Sequence, residues 1–200
     1  MAADPASIIT AAYPRMGAYA SDLVDTAKSV SIDPAWLANI IQLESGGNPQ
    51  AVNPTSGATG LIQFMPTTAL GLGTTVGALM QLDGNGQMPY VRKYFEGVIA
   101  AHGPLRSQED VIAAVFFPAF IGKPFAQMSA IVQQQNAGIT TVRDYTNRLL
   151  SKAKLPAEGI GYGSSVKVGL LVVGGSLAVG AALLYVYRPE FYTKAYWTRK

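Results

Sequence analysis

At 200 residues, with 49% hydrophobic and only 14% charged, the chain has room for one ordinary domain and an appendage that lies outside water. It has no cysteine, which excludes a disulfide framework, a thiolate metal site and a cysteine nucleophile. The net charge of +3 sits at one end, because residues 1–165 carry 10 Lys and Arg against 11 Asp and Glu while residues 166–200 carry 5 against 1; no nucleic-acid partner is expected of a globular part that is not basic.

The N-terminus, Met1-Ala-Ala-Asp-Pro, lacks the basic start and apolar core of a secretory signal. Ile8 to Tyr19 is weakly patterned, an arm or a short helix, and Ser21–Lys28 is a better helix with Ser21 as its cap. Residues 1–30 are therefore set apart as an N-terminal arm and helix. In the next segment Asp33 is a good N-cap, Pro34 suits the first helical position, and Gly46 and Gly47 supply the stop. Leu37, Ile40 and Ile41 mark the apolar face at i, i+3 and i+4, and the next position of that series is Glu44. A carboxylate on an apolar stripe in the last helical turn meets both desolvation and the helix dipole, which raise its pKa. That makes a general acid still protonated near neutral pH. Spacing alone equally allows a helix-end residue exposed by fraying.

The residues that follow shift the balance between the two. Glu44-Ser45-Gly46-Gly47-Asn48-Pro49, then Asn53-Pro54, then Gly57-Ala58-Thr59-Gly60-Leu61-Ile62-Gln63-Phe64-Met65-Pro66 resembles the signature of lytic transglycosylases with a lysozyme-like domain. The resemblance implies that Glu44 is the catalytic acid/base and Ser45 its neighbour. Gly60 to Phe64 become the segment lining the sugar cleft, with Gln63 and Phe64 placed towards the glycan. No cofactor and no metal is implied.

Pro66–Leu70 starts another short helix, ended around Gly71 and Gly73, and Thr74–Met80 allows a further turn or two. Asp83-Gly84-Asn85-Gly86 opens like a calcium loop, but the later oxygen ligands and closing Glu are missing, so it reads as a turn. Gln87–Ala101 is an amphipathic helix with Val91, Tyr94, Phe95 and Val98 inward. His102 ends it as a capping or surface residue, without partners for a metal. Gln108–Phe117 is a buried helix. It falls where the resemblance expects a third block that brings a tyrosine beneath the catalytic Glu. Here Phe116 and Phe117 stand instead, as in phage-encoded members, and would make the pocket drier; Tyr90 or Tyr94 could supply a hydroxyl. Phe125–Gln135 and Ile139–Lys154 read as two trailing helices.

Residues 156–165 carry alternating glycines and no core pattern, a flexible linker. Val168 to Tyr187 is twenty residues without a charge, about 30 Å as a helix and enough to cross a bilayer. Tyr185, Tyr187, Tyr192, Tyr196 and Trp197 gather at one end as an interfacial belt would, and the tail 188–200 is basic and aromatic. The expected fold is mainly α: a lysozyme-like catalytic domain over 31–155 and one C-terminal transmembrane helix over 166–187. The expected reaction is lytic cleavage of the MurNAc-β-1,4-GlcNAc bond of peptidoglycan. The resemblance to phage members and the anchor together point to a virion membrane, single-pass, with the bacterial inner membrane as the alternative. The partners would be glycan strands, lipid and other virion membrane proteins. The rival readings are a hydrolysing muramidase and a structural or fusion-type virion protein that keeps the fold without turnover.

Overall fold

The computed structural model describes residues 3–116, 118, 121 and 151–162. Among them the chain is mainly helical and has no strand; extended pairing is confined to the bridges Val52–Thr59 and Thr59–Phe64. Seven α-helices follow in order among these residues: α1 (Pro5–Ala12), α2 (Ala20–Ser29), α3 (Pro34–Ser45), α4 (Pro66–Gly71), α5 (Val76–Leu79), α6 (Gly84–His102) and α7 (Gln108–Phe116), with a 3-10 helix, Pro14–Tyr19, between α1 and α2. No helix of the described residues is long and apolar enough to cross a membrane. The expected span Val168–Tyr187 lies outside the described residues, as do Phe117 and most of the two trailing helices.

Helix α3 is built as its sequence implies. The Asp33 carboxylate accepts from Ala35 N at 2.8 Å, Pro34 fills the first turn, and Gly46 closes the helix at φ 61°. Leu37, Ile40 and Ile41 are buried. Helix α6 begins earlier than its apolar pattern suggests. Asp83 caps it by accepting from Gly86 N at 2.8 Å, so the calcium-like Asp-Gly-Asn-Gly stretch is a helix start. Its inward face, Val91, Tyr94, Phe95 and Val98, is buried as expected.

Of the two readings of Ile8 to Tyr19, the short helix holds and the arm does not: α1 and the 3-10 helix occupy the segment. Ile9, Tyr13, Met16 and Tyr19 lie in the same core as α3 and α6, because their spacing keeps one apolar side inward while Pro14 converts the chain from α1 to the 3-10 helix. Nor does Ser21 cap α2. The helix starts at Ala20, entered directly from the 3-10 helix, and no side chain caps it.

The described part of the expected linker is also docked. Residues 151–162 form a strap across the outer side and N-terminal end of α3. Asn39, fully buried, donates from Nδ2 to Leu155 O at 3.0 Å, and its Oδ1 accepts from the Tyr13 hydroxyl at 2.5 Å. That hydroxyl accepts in turn from Lys154 N at 2.6 Å. Trp36 Nε1 donates to Ala157 O at 2.8 Å, and the Tyr162 hydroxyl to Ile32 O at 2.7 Å. The Asp33 carboxylate serves twice, for it also accepts from Ile160 N at 3.0 Å and Gly161 N at 2.7 Å. Gly159 makes this possible: it sits at φ +90°, and a Cβ there would collide with the Asp33 carboxyl. The glycines that suggested flexibility allow the backbone to close on a carboxylate.

Two glycines of α6 should respond oppositely to alanine. A Cβ on Gly84 would collide with the Tyr19 ring at Cδ1, whereas Gly97 has nothing within 4 Å. Gly97→Ala should stabilise by about 0.4–1 kcal/mol through the unfolded chain, and Gly84→Ala should destabilise by about 1–3 kcal/mol through overpacking. Urea midpoints of the two variants measure this; a stabilised Gly84→Ala protein would contradict the packing of α6 on Tyr19.

Candidate active site

Glu44 occupies the last turn of α3, and its side chain leaves the apolar stripe at the edge of the core. The residue is half-buried, yet its carboxyl oxygen Oε1 is sealed from solvent and has no hydrogen-bond partner among the described residues. Burial pushes its pKa up to about 8, and burial is the whole cause. No neighbouring charge contributes among the described residues. A carboxyl in such a place is held as the neutral acid through neutral pH, with a proton to give.

The turn after Glu44 is fixed from the N-terminal side. The Tyr19 hydroxyl donates to Gly47 O at 3.0 Å, and burial raises the phenol pKa, which keeps it a neutral donor. Arg15 donates to Gly46 O at 3.4 Å. Gly47 sits at φ +73°, where a side chain is strained, and a Cβ there would also press on Met16 Cγ at 3.1 Å and the Tyr19 hydroxyl at 3.2 Å. The segment 5–19 is thus the support of the turn that follows the acid. Sequence reading missed this role. The signal was the aromatic and apolar series Ile9, Tyr13, Met16 and Tyr19, which is too regular for an arm.

Ser45 joins α3 to the Gly60–Phe64 segment. Its hydroxyl lies 2.9 Å from Leu61 O and 3.1 Å from Ile41 O, and both carbonyls can only accept. Its place beside Glu44 is that of a brace. Gly60 is buried at φ +85° and donates its N–H to Ala51 O at 2.8 Å. Gln63 takes a positive φ of 53° and spends its Nε2 on Ala51 O and Gly60 O, at 3.2 and 3.1 Å. Two of the residues expected to meet the glycan therefore shape the loop. Phe64 is a core residue, 2% exposed and edge-on to Tyr94 at 6.3 Å, so it supports the segment from beneath and cannot line a cleft. Alternation explains it: Thr59 pairs with Phe64 across the tight turn, and the Phe64 ring goes inward.

Of the two tyrosines considered for the third block, Tyr94 donates its hydroxyl to Ala114 O on α7 at 2.7 Å, tying α6 to α7. Tyr90 is half-buried against the core. Phe116 is buried on α7, which packs on α3. Among the described residues no group of three or more His, Asp or Glu is placed to hold a metal.

One organising residue lies where the sequence shows only the start of an amphipathic helix. Gln87 is fully buried; its Oε1 accepts from Leu61 N at 2.9 Å, and its Nε2 donates to Pro49 O at 2.7 Å and Leu79 O at 2.9 Å. The sequence signal was a polar residue one turn before Val91 on the apolar face.

Residues 24–87 match the family model described as the transglycosylase SLT domain. Both sequence blocks, around Glu44 and at Gly60–Phe64, fall inside this segment, and the altered third block falls outside it. Over 45 residues the chain is 47% identical to the transglycosylase of Enterobacteria phage PRD1, which covers 22% of this chain and 17% of that protein. Over 40 residues it is 58% identical to the probable transglycosylase SceD of Staphylococcus aureus strain Newman, covering 20% of this chain and 17% of that one. The matched stretch thus spans 17% of the length of these curated relatives. The resemblance to phage lytic transglycosylases holds over this stretch.

Proposed function

We propose that this chain, through its transglycosylase-like segment, is a peptidoglycan lytic transglycosylase with Glu44 as its single acid/base. The observation that carries the reading is the sealed, unpartnered Oε1 of Glu44 at the end of α3, on a carboxyl whose pKa burial raises, beside a loop of the matched family. In the proposed reaction Glu44 gives its proton to the oxygen between MurNAc and GlcNAc as the β-1,4 bond breaks. The carbonyl oxygen of the substrate's own N-acetyl group stabilises the anomeric carbon. The carboxylate left behind then takes the proton of the C6 hydroxyl, whose oxygen closes on the anomeric carbon. Glu44 ends protonated, no water is consumed, and the product is a 1,6-anhydro sugar.

Two features favour this over a hydrolysing muramidase. A retaining hydrolase needs a second carboxyl about 5–5.5 Å from the first, and an inverting one about 6.5–9.5 Å away. A carboxylate so close would itself push on the Glu44 pKa, and among the described residues burial is the one cause of the shift. The segment 60–66 also contains no acidic residue.

The membrane and virion parts of the proposal rest on the sequence beyond Lys167, with the phage relative as further support. A chain anchored by Val168–Tyr187 in a virion membrane would bring the domain to the wall for local penetration. Because 156–162 is docked, only residues 163–167 separate the strap from that apolar run, at most about 22 Å of extended chain from Tyr162 to Val168. The test is the full-length chain mixed with phospholipid vesicles and peptidoglycan, followed by flotation and mass analysis of the released sugars. The expected result is a floating enzyme that releases 1,6-anhydromuramic ends. Reducing ends alone would make it a muramidase, no release would make it a structural protein, and failure to float would remove the anchor.

A further inference from the structure

We infer that Gln87 is a positioning residue for the proposed reaction, holding the Gly60–Phe64 segment at a fixed distance from Glu44. The inference rests on the reading of Glu44 given above. Its geometry is that of one residue held from two sides. The Leu61 N–H donates to Gln87 Oε1, and the Leu61 carbonyl accepts from the Ser45 hydroxyl, both at 2.9 Å. Ser45 adjoins Glu44 on α3, and Gln87 belongs to α6, so Leu61 is the bridge between the catalytic helix and the longest helix of the described residues.

The other end of the Gln87 amide extends the same hold. Nε2 donates to Pro49 O, in the turn after Glu44, and to Leu79 O, in α5. One buried amide therefore fixes both arms of the loop between α3 and α4. With Gln87 shielded from water, no solvent molecule can replace a lost bond without opening the core. Gly60 is shaped to admit it: a Cβ there would lie 2.5 Å from Gln87 Oε1. The family-like glycine thus marks the place where the amide passes, and a loop held this way cannot drift from the acid. A drift of about 1 Å in a reacting group can cost about 100-fold in rate.

The first measurement needs no variant. Amide hydrogen exchange on the full-length parent should show the Leu61 N–H protected as strongly as Ile41 in α3, because its acceptor is the Gln87 side chain. Exchange of Leu61 at the rate of an unprotected amide overturns the inference. The second measurement compares Gln87→Met, which keeps the size and loses every bond, with Gln87→Glu, which keeps an acceptor for Leu61 N–H. Per folded molecule, kcat should fall by about 10- to 100-fold in Gln87→Met and less in Gln87→Glu. A lower melting temperature with unchanged kcat per folded molecule would make Gln87 a merely structural residue and overturn the inference. Should either variant not fold, the exchange result decides. Failure of the function reading looks different: the parent would release no sugar while Leu61 stayed protected.

Discussion

Glu44→Gln should lower peptidoglycan cleavage by about 10²- to 10⁴-fold, the range for loss of a positioned general acid. Gln keeps the size and removes the proton that the leaving oxygen needs, so the loss should fall on kcat more than on KM. Parental rates of sugar release from the Glu44→Gln protein would take the catalytic role away from this residue. The same substitution should change how stability depends on pH. Glu44 has a folded pKa of about 8, against 4.5 for an ordinary glutamate in water. An acid whose folded pKa is raised binds more protons folded than unfolded between those two values, so stability falls as pH rises through that window. The loss is on the order of a few kcal/mol at most, complete above the folded value, and absent below about 4.5. The parent should therefore melt at lower temperature at pH 8.5 than at pH 5, and Glu44→Gln should lose much of that difference. Cleavage by the parent should decline above about pH 8, as the acid loses its proton.

Asn39→Ala should destabilise the chain by about 2–4 kcal/mol, because it strands the Leu155 carbonyl and N–H and the Tyr13 hydroxyl at a buried site. Thermal unfolding would register this as a fall of roughly 5–15 °C. The folded fraction should keep its kcat, since Asn39 lies on the strap side of α3, in its first half, away from the turn after Glu44. An unchanged melting temperature would mean that the strap adds nothing to the domain.

Local signals in the sequence predicted the elements that depend on neighbours a few residues away. The cap at Asp33, the stop at Gly46 and the inward faces of α3 and α6 all follow from spacing within one helix. Glu44 was legible for the same reason, because its place on the apolar stripe needs only helical period. What could not be read is whatever depends on partners distant in sequence. Nothing near Tyr19 announces Gly47, 28 residues on, and nothing near Gly159 announces the Asp33 carboxylate. Phe64 and Gln63 were assigned to the glycan by resemblance, but the turn that brings Thr59 opposite Phe64 sends one side chain into the core and spends the amide nitrogen of the other on the backbone. Gln87 looked like a helix position of no consequence, since a polar residue on an apolar face shows its purpose only when its acceptors and donors are in view.

The strap also sets an order of folding. Its bonds to α3 and to Tyr13 join residues 116 to 141 positions apart. Closing a loop of about 130 residues costs roughly 2 kcal/mol more chain entropy than closing one of about 15, so such contacts form late unless others have already shortened the path. The helices from α1 to α6 can assemble from nearer contacts, and the strap then closes over a nearly finished surface. During synthesis that surface waits for the strap to leave the ribosome, with Trp36 Nε1 and the Asp33 carboxylate short of their strap partners until then. In the finished protein the same bonds, to Asp33, Trp36, Asn39 and Tyr13, are the ones whose loss would free the strap from α3 and from the residue that follows α1.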